Sequence, residues 1–237
     1  MVSDVHGNLE SLQRALAQVQ ATDALACLGD MVGYGANPNE CVHLLRDATR
    51  HAVLGNHDLA ALENYGTEFF NEAARSAIEW TQTVLDEESR QWLNSLSYEL
   101  RLPEFLMVHG APVHYFEYIL DKRAAARAFD RTDAPLVFVG HTHIAQYWVR
   151  DADGTIGHKH MQYGGELTLE SEKRYIVDVG SVGQPRDLNP EACLVFFEPE
   201  CANVRWVRYP YPIADVQAKI RKARLPEYLA DRLGAGR

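Results

Sequence analysis

Hydrophobic positions at Leu9, Leu12, Leu16 and Val19 recur at three- and four-residue steps, which predicts an amphipathic helix directly after a glycine-containing loop. Ahead of it only Met1 and Val2 are apolar before Ser3 and Asp4. The strand that opens this β-α unit is therefore predicted to be clipped, since strands usually run to about five residues. Ala24 to Leu28 reads as a buried strand ending at Gly29 and Asp30. A Gly/Pro/Asn-rich loop follows, then a helix from Asn39 to Ala48 and a short strand from Ala52 to Leu54 that ends at Gly55, Asn56, His57 and Asp58. Residues 72–96 have helical composition, with Ala77, Trp80, Val84 and Leu85 on one side. Beyond them Phe105 to Val108 and Leu136 to Val139 are short apolar strands ending in His109 and in Gly140-His141, with a helix from Asp121 to Phe129 between them. Gln146 to Arg150, Tyr175 to Val179, Ala192 to Phe197 and Val204 to Tyr209 predict strands joined by turns in a more antiparallel sheet. The tail from Ile213 to Leu233 predicts one or two helices interrupted near Pro226.

The leading strands hand over to polar residues at their carboxyl ends, where open α/β sheets place their ligands. The economical architecture is α/β: two mixed β-sheets packed face to face and flanked by helices, in one domain spanning residues 1–237. Composition agrees, because 237 residues with 46% hydrophobic content can bury a sizeable core. Acidic residues outnumber basic ones 33 to 23, a formal charge of -10 that repels polyanions and argues against long nucleic acid, while leaving small phosphoesters or nucleotides open. Cys27, Cys41, Cys193 and Cys201 lie far apart with no C-x-x-C pair, so neither a disulfide framework nor a zinc-thiolate site is indicated. No basic N-terminal segment leads into an apolar stretch and no apolar run approaches membrane-spanning length, so a cytoplasmic protein without membrane association is expected.

Chemistry concentrates at the strand ends: Asp4-Val5-His6, Gly29-Asp30, Gly55-Asn56-His57-Asp58, His109, and Gly140-His141-Thr142-His143. Five of the ten histidines fall in this set. Residues one apart can both turn toward one centre, and the neighbouring glycines are expected to give the backbone room for it. Each fragment alone has an ordinary explanation as a turn, a cap or a buried histidine. Their joint occurrence at the carboxyl ends of apolar strands points to metal binding. Carboxylates and imidazoles without thiolate suit divalent Mn, Fe, Co, Ni or Zn, and the set has enough ligands for two ions.

The order D-x-H, G-D, G-N-H-D, H, G-H-x-H resembles the calcineurin-like metallophosphoesterases over almost the whole chain. Within them, Gly29 to Pro38 (GDMVGYGANP) and Gly180 to Asp187 (GSVGQPRD) resemble a bacterial and archaeal phosphodiesterase-like branch. The resemblance implies the four-layer sandwich of that superfamily. It also implies two divalent ions, manganese first: Asp4, His6 and His143 on one, Asn56, His109 and His141 on the other, Asp30 bridging both, and His57 as catalytic acid. Two ions roughly 3.5 to 4 Å apart can share a nucleophilic hydroxide and clamp a phosphoryl group. Asp58 either orients His57 or serves as a carboxylate at a helix N-terminus. Tyr34 and Arg186 are candidate substrate contacts, and His114, Tyr115 and Tyr118 can wall the cleft; His158 and His160 alternate as on a solvated strand, and His43 and His51 look structural. Protein phosphatases and diadenosine tetraphosphatases of the superfamily carry G-D-x-V-D-R-G, whose arginine grips phosphate, where this chain has Gly33-Tyr34-Gly35. Asp178-Val179 stands where Asn-Pro is common, and the clipped first strand is a second departure. The implied function is a metal-dependent phosphodiesterase. The alternatives are a phosphomonoesterase, a protein phosphatase, or a non-catalytic scaffold of the same fold.

Overall fold

The computed structural model describes residues 1–21 and 23–237. Among the described residues, eleven strands and eight α-helices form one six-stranded sheet and, facing it, a second layer made of a two-stranded and a three-stranded ladder, with helices outside. One sheet has six strands in the order β3 (Glu99–Arg101), β4 (Leu106–Val108), β5 (Leu136–Val139), β9 (Arg174–Val179), β6 (Ala145–Arg150) and β7 (Ile156–His160), parallel only through β4, β5 and β9. Facing it are the parallel pair β1 (Leu25–Cys27) and β2 (Thr49–Ala52) and the antiparallel ladder β10 (Ala192–Glu198), β11 (Asn203–Tyr209) and β8 (Gly165–Thr168).

The clipped N-terminal segment joins these two ladders. The Val2 amide donates to Ala26 O at 2.9 Å and Leu28 N to Val2 O at 2.9 Å, while Met1 and Val195 exchange backbone bonds on the other side. Few as they are, these residues occupy a central strand position, and Asp4 is firmly held: its N–H reaches Gly29 O at 3.0 Å and its O accepts from Gly183 N at 2.8 Å.

Side chains alternate across the sheets as the two-residue period requires. Leu136 and Phe138 of β5 and Tyr175 and Val177 of β9 face the inter-sheet core with Cys193, Val195 and Trp206. Val137, Val139 and Ile176 face outward against Ala125, Ala128 and Phe129 of α6 (Lys122–Arg131). The other outer face is covered by α1 (Leu9–Leu16), α2 (Pro38–Ala48), α4 (Glu72–Val84) and α7 (Ile213–Lys222).

Several expected bounds shift. The helical stretch 72–96 is two helices, α4 and α5 (Glu87–Asn94), because Leu85 turns extended and the Asp86 side chain accepts from Ser89 N at 2.7 Å, starting a new helix. The strand expected at Ala52 to Leu54 is β2, three residues earlier; it is half-exposed, so its pattern is not an apolar run. The short strands β3 and β8 were not anticipated, and both are largely exposed. The tail forms α7 and α8 (Glu227–Asp231), separated at Pro226 as expected.

Candidate metal centre

The site lies where the N-terminal segment, β1, β2, β4 and β5 end. Asp4, His6, Asp30 and His143 come together, as do Asp30, His109 and His141, and every member is buried. His143 Nε2 stands 3.2 Å from Asp4 Oδ1, and His6 Nε2 is 3.6 Å from Asp30 Oδ2 and 3.9 Å from Asp4 Oδ1. On the other side of Asp30, His109 Nε2 is 3.3 Å from the same Oδ2, 3.1 Å from Asn56 Oδ1 and 3.1 Å from His141 Nδ1.

The contact between His6 and His143 is not a satisfied hydrogen bond. His6 Nδ1 donates to Val32 O at 3.0 Å, His143 Nδ1 to Gln184 O at 2.6 Å and His109 Nδ1 to Leu28 O at 2.7 Å. In a neutral imidazole a protonated Nδ1 leaves Nε2 as an acceptor. His6 and His143 therefore point two lone pairs at each other across 3.2 Å. Asp4 Oδ1 has no hydrogen-bond partner. Converging acceptors call for a cation, and carbonyl-anchored imidazoles are the usual outer support of a metal ligand. Protons alone serve this set poorly. Burial first, then repulsion from a neighbouring histidine, His57 for His6 and His109 for His141, pushes both well below the ordinary histidine value. Burial opposes charge on His109 too, but the Asp30 carboxylate outweighs it and raises that group to about 9.

The local backbone is unusual. Asp4, His6, Asp30, His141 and His143 all have φ between 49° and 66°. Left-handed backbone at a non-glycine residue costs about 1–3 kcal/mol, and here five candidate ligands adopt it together. Gly7 and Gly29 turn with positive φ, at 60° and 94°, as expected, whereas Gly55 and Gly140 do different work. A Cβ on Gly55 would lie 2.1 Å from Asp30 Oδ1, and one on Gly140 would lie 2.6 Å from Asp4 Oδ2. At these two positions glycine admits the carboxylates, and the candidate ligands share in making the turns.

His57 is buried beside the clusters. Its N–H donates to Asp30 Oδ1 at 2.8 Å, its ring stacks on Phe70 at 4.6 Å, and it lies 4.5 Å from the Tyr34 ring. Burial, then the charges of Arg186 and His143, outweigh Asp30 and lower it to about 4. Asp58 does not orient this ring. Its Oδ1 accepts from Met31 N and Val32 N at 2.8 and 3.1 Å and its Oδ2 from Gly55 N at 3.1 Å, so the carboxylate fixes the 30–33 loop at the start of α3 (Asn56–Glu63). His57 Nδ1 has no partner. The Asp178 departure also has a structural answer: its carboxylate accepts from Thr142 Oγ1 at 2.5 Å and Gly180 N at 3.1 Å, tying the 141–143 loop to the end of β9.

Tyr34 and Arg186 both reach the site, with the guanidinium 5.7 Å over the Tyr34 ring and its Nη2 2.9 Å from Gln184 Oε1. Tyr118 stacks on His141 at 3.8 Å. Arg232, beyond α8, was not anticipated. Burial first and the like charge of Arg186 second lower its pKa, and its guanidinium lies 5.1 Å over the Tyr228 ring. No short-range signal links position 232 to position 186. His158 and His160 lie on exposed β7, and His43 pairs with Asp86 at 3.2 Å, both away from the clusters.

A family model described as the calcineurin-like phosphoesterase superfamily domain matches residues 1–200. An uncharacterized protein of Methanocaldococcus jannaschii is 36% identical over all of this chain and 97% of its own length. The crystal structure of a metallophosphoesterase from Sphaerobacter thermophilus superposes with a TM-score of 0.90 at 42% identity, covering 100% of this chain and 98% of that one. A shorter stretch, 26% of this chain, is 42% identical to a quarter (25%) of the symmetrical bis(5'-nucleosyl)-tetraphosphatase of Actinobacillus pleuropneumoniae.

Proposed function

The chain belongs to the calcineurin-like phosphoesterase superfamily of metal-dependent hydrolases, and from that premise we propose that it is a phosphodiesterase holding two divalent ions, manganese first among them. The observation that carries the proposal is the convergence of buried acceptors on one point: the Nε2 lone pairs of His6 and His143 face each other with no donor between them, beside the unpartnered Asp4 Oδ1 and an Asp30 shared with His109. In this reading Asp4, His6 and His143 would hold one ion and Asn56, His109 and His141 the other, with Asp30 available to both. Such ions supply Lewis acidity, lowering the pKa of water and clamping phosphoryl oxygens.

The chain's own residues do the remaining work. Asp4 and Asp30 bring only two carboxylates to two divalent ions, and the neutral Asn56 amide adds no charge, so the centre stays cationic and draws an anionic phosphoester into an acidic protein. His57 is neutral in the free enzyme at pH 7. An arriving phosphate beside its ring favours the imidazolium, which then protonates the leaving alcohol, a contribution of roughly a hundredfold or more. Arg186 over Tyr34 faces the same space and binds a phosphoryl oxygen from a loop other than the one that carries the phosphate-gripping arginine of the related phosphatases. The substrate is a small phosphoester or nucleotide. No helix among the described residues is long and apolar enough to cross a membrane, and a single cytoplasmic domain is part of the same proposal.

The test is hydrolysis of bis(p-nitrophenyl) phosphate and p-nitrophenyl phosphate by chelator-stripped protein, with Mn, Ni, Co, Zn or Mg restored, beside His57→Ala and Asp30→Asn. Metal-restored diester cleavage lost in both variants is expected. Preference for the monoester would convert the enzyme to a phosphomonoesterase, and metal binding without turnover on either ester would sink the catalytic proposal in favour of a scaffold.

A further inference from the structure

A cavity of about 950 Å³ opens directly off the second ligand cluster, and Asn56 and His141 belong to both. Its walls are aromatic. One comes from the 65–70 segment, where Tyr65 and Phe69 are 64% and 86% exposed. The other comes from Tyr98 and the 112–118 loop, where Tyr98 and Tyr115 lie parallel, 5.3 Å apart with 7° between ring planes. Tyr118 carries this surface to the metal centre by stacking on the His141 imidazole.

Large rings exposed on both sides of one groove are costly in water unless something covers them. The groove specifies what does. It is continuous with the proposed phosphoryl site, so its occupant is the organic group of the same ester. Its walls present ring faces, which favour a flat π-system over a branched aliphatic chain. Glu63, His114 and Arg131 also line the cavity and offer donors and acceptors to the edge of a heteroaromatic ring.

We propose that this groove is a nucleobase site and that the preferred substrates are nucleotide phosphoesters, with the base between the 65–70 segment and Tyr115 and the phosphate at Asp30. The inference rests on the phosphoesterase reading for the position of the phosphate. The base contributes by stacking, so it acts mainly on affinity and leaves the proton transfer by His57 untouched.

The test compares two ligands that differ only in the base: adenosine 5'-monophosphate and ribose 5-phosphate, titrated calorimetrically onto manganese-loaded protein and onto a Phe69→Ala/Tyr115→Ala double variant. Both residues are exposed or at the surface, and thermal melting of the variant checks that it folds. Wild-type protein is expected to bind the nucleotide roughly 10- to 100-fold more tightly than the sugar phosphate. The double variant should lose that advantage and keep its affinity for ribose 5-phosphate. Equal affinity for the two ligands in the wild type, or an advantage that survives in the variant, overturns the proposal. So does a self-association broken by Phe69→Ala with no nucleotide preference, which would give the groove to a second copy of the chain. Because the readout is binding, failure of hydrolysis would be seen separately and would not decide this result.

Discussion

The two ligand clusters share Asp30 but differ in almost everything else. The His6/His143 cluster carries a carboxylate of its own, Asp4, and both imidazoles are anchored on backbone carbonyls. The His109/His141 cluster adds only a neutral amide. His141 Nε2 is buried without a partner, and the ring is steadied by the half-exposed Tyr118. The first is closed and charged, and the second opens onto the aromatic groove. Structural sites are closed and catalytic ones keep an open side, so the first cluster should hold its ion more tightly and the second should meet the substrate.

The largest test of this asymmetry abolishes it. Asp30→Asn removes the charge both clusters use, so metal per chain should fall below two by elemental analysis and turnover by roughly a thousandfold or more. Asn56→Ala touches the second cluster alone. One ion should remain, with affinity for the other and the metal-dependent rate each falling roughly a hundredfold; equal loss of both ions would show that the clusters are not separable. Gly140→Ala attacks the first cluster, because the new methyl meets Asp4 Oδ2 and Ser3 Oγ. Overpacking of this kind costs about 2 kcal/mol, read as a lower unfolding midpoint together with weaker binding of the tighter ion. The smallest effect is on pH dependence. A metal must displace the proton that Asp30 holds on His109 below about 9, so affinity at the second cluster should rise about tenfold per pH unit from 7 to 9. His6 and His143, lowered by burial, are already neutral there, and the first cluster should be flat over the same range. Two parallel slopes would break the comparison.

Much of this was readable in the chain. Apolar runs closed by Gly-Asp, Gly-Asn-His and Gly-His place candidate ligands at strand ends, because a buried strand must end before polar side chains can gather. His109 was legible only as one of a set. What escaped was set by distance or by exposure. The half-exposed β2 lacks an apolar run, so its position shifted, and β3 and β8 pair at sheet edges where one face sees water. Asp58 offered two roles from its position after His57, and only the N–H groups of Met31, Val32 and Gly55 decide between them. The positive φ of the ligands cannot be read from residues that normally avoid it, and the approach of Arg232 toward Arg186 depends on the tail packing back across the molecule.

Five candidate ligands in left-handed backbone, with the His6 and His143 lone pairs facing each other, make a centre that is least comfortable when bare. Ions that bind only the folded chain would offset that discomfort by mass action. In a metal-poor cell the 4–7, 30–35 and 141–143 loops would open more often, and a protease would find them there first. The quantity of this protein, as well as its rate, would then follow the supply of metal.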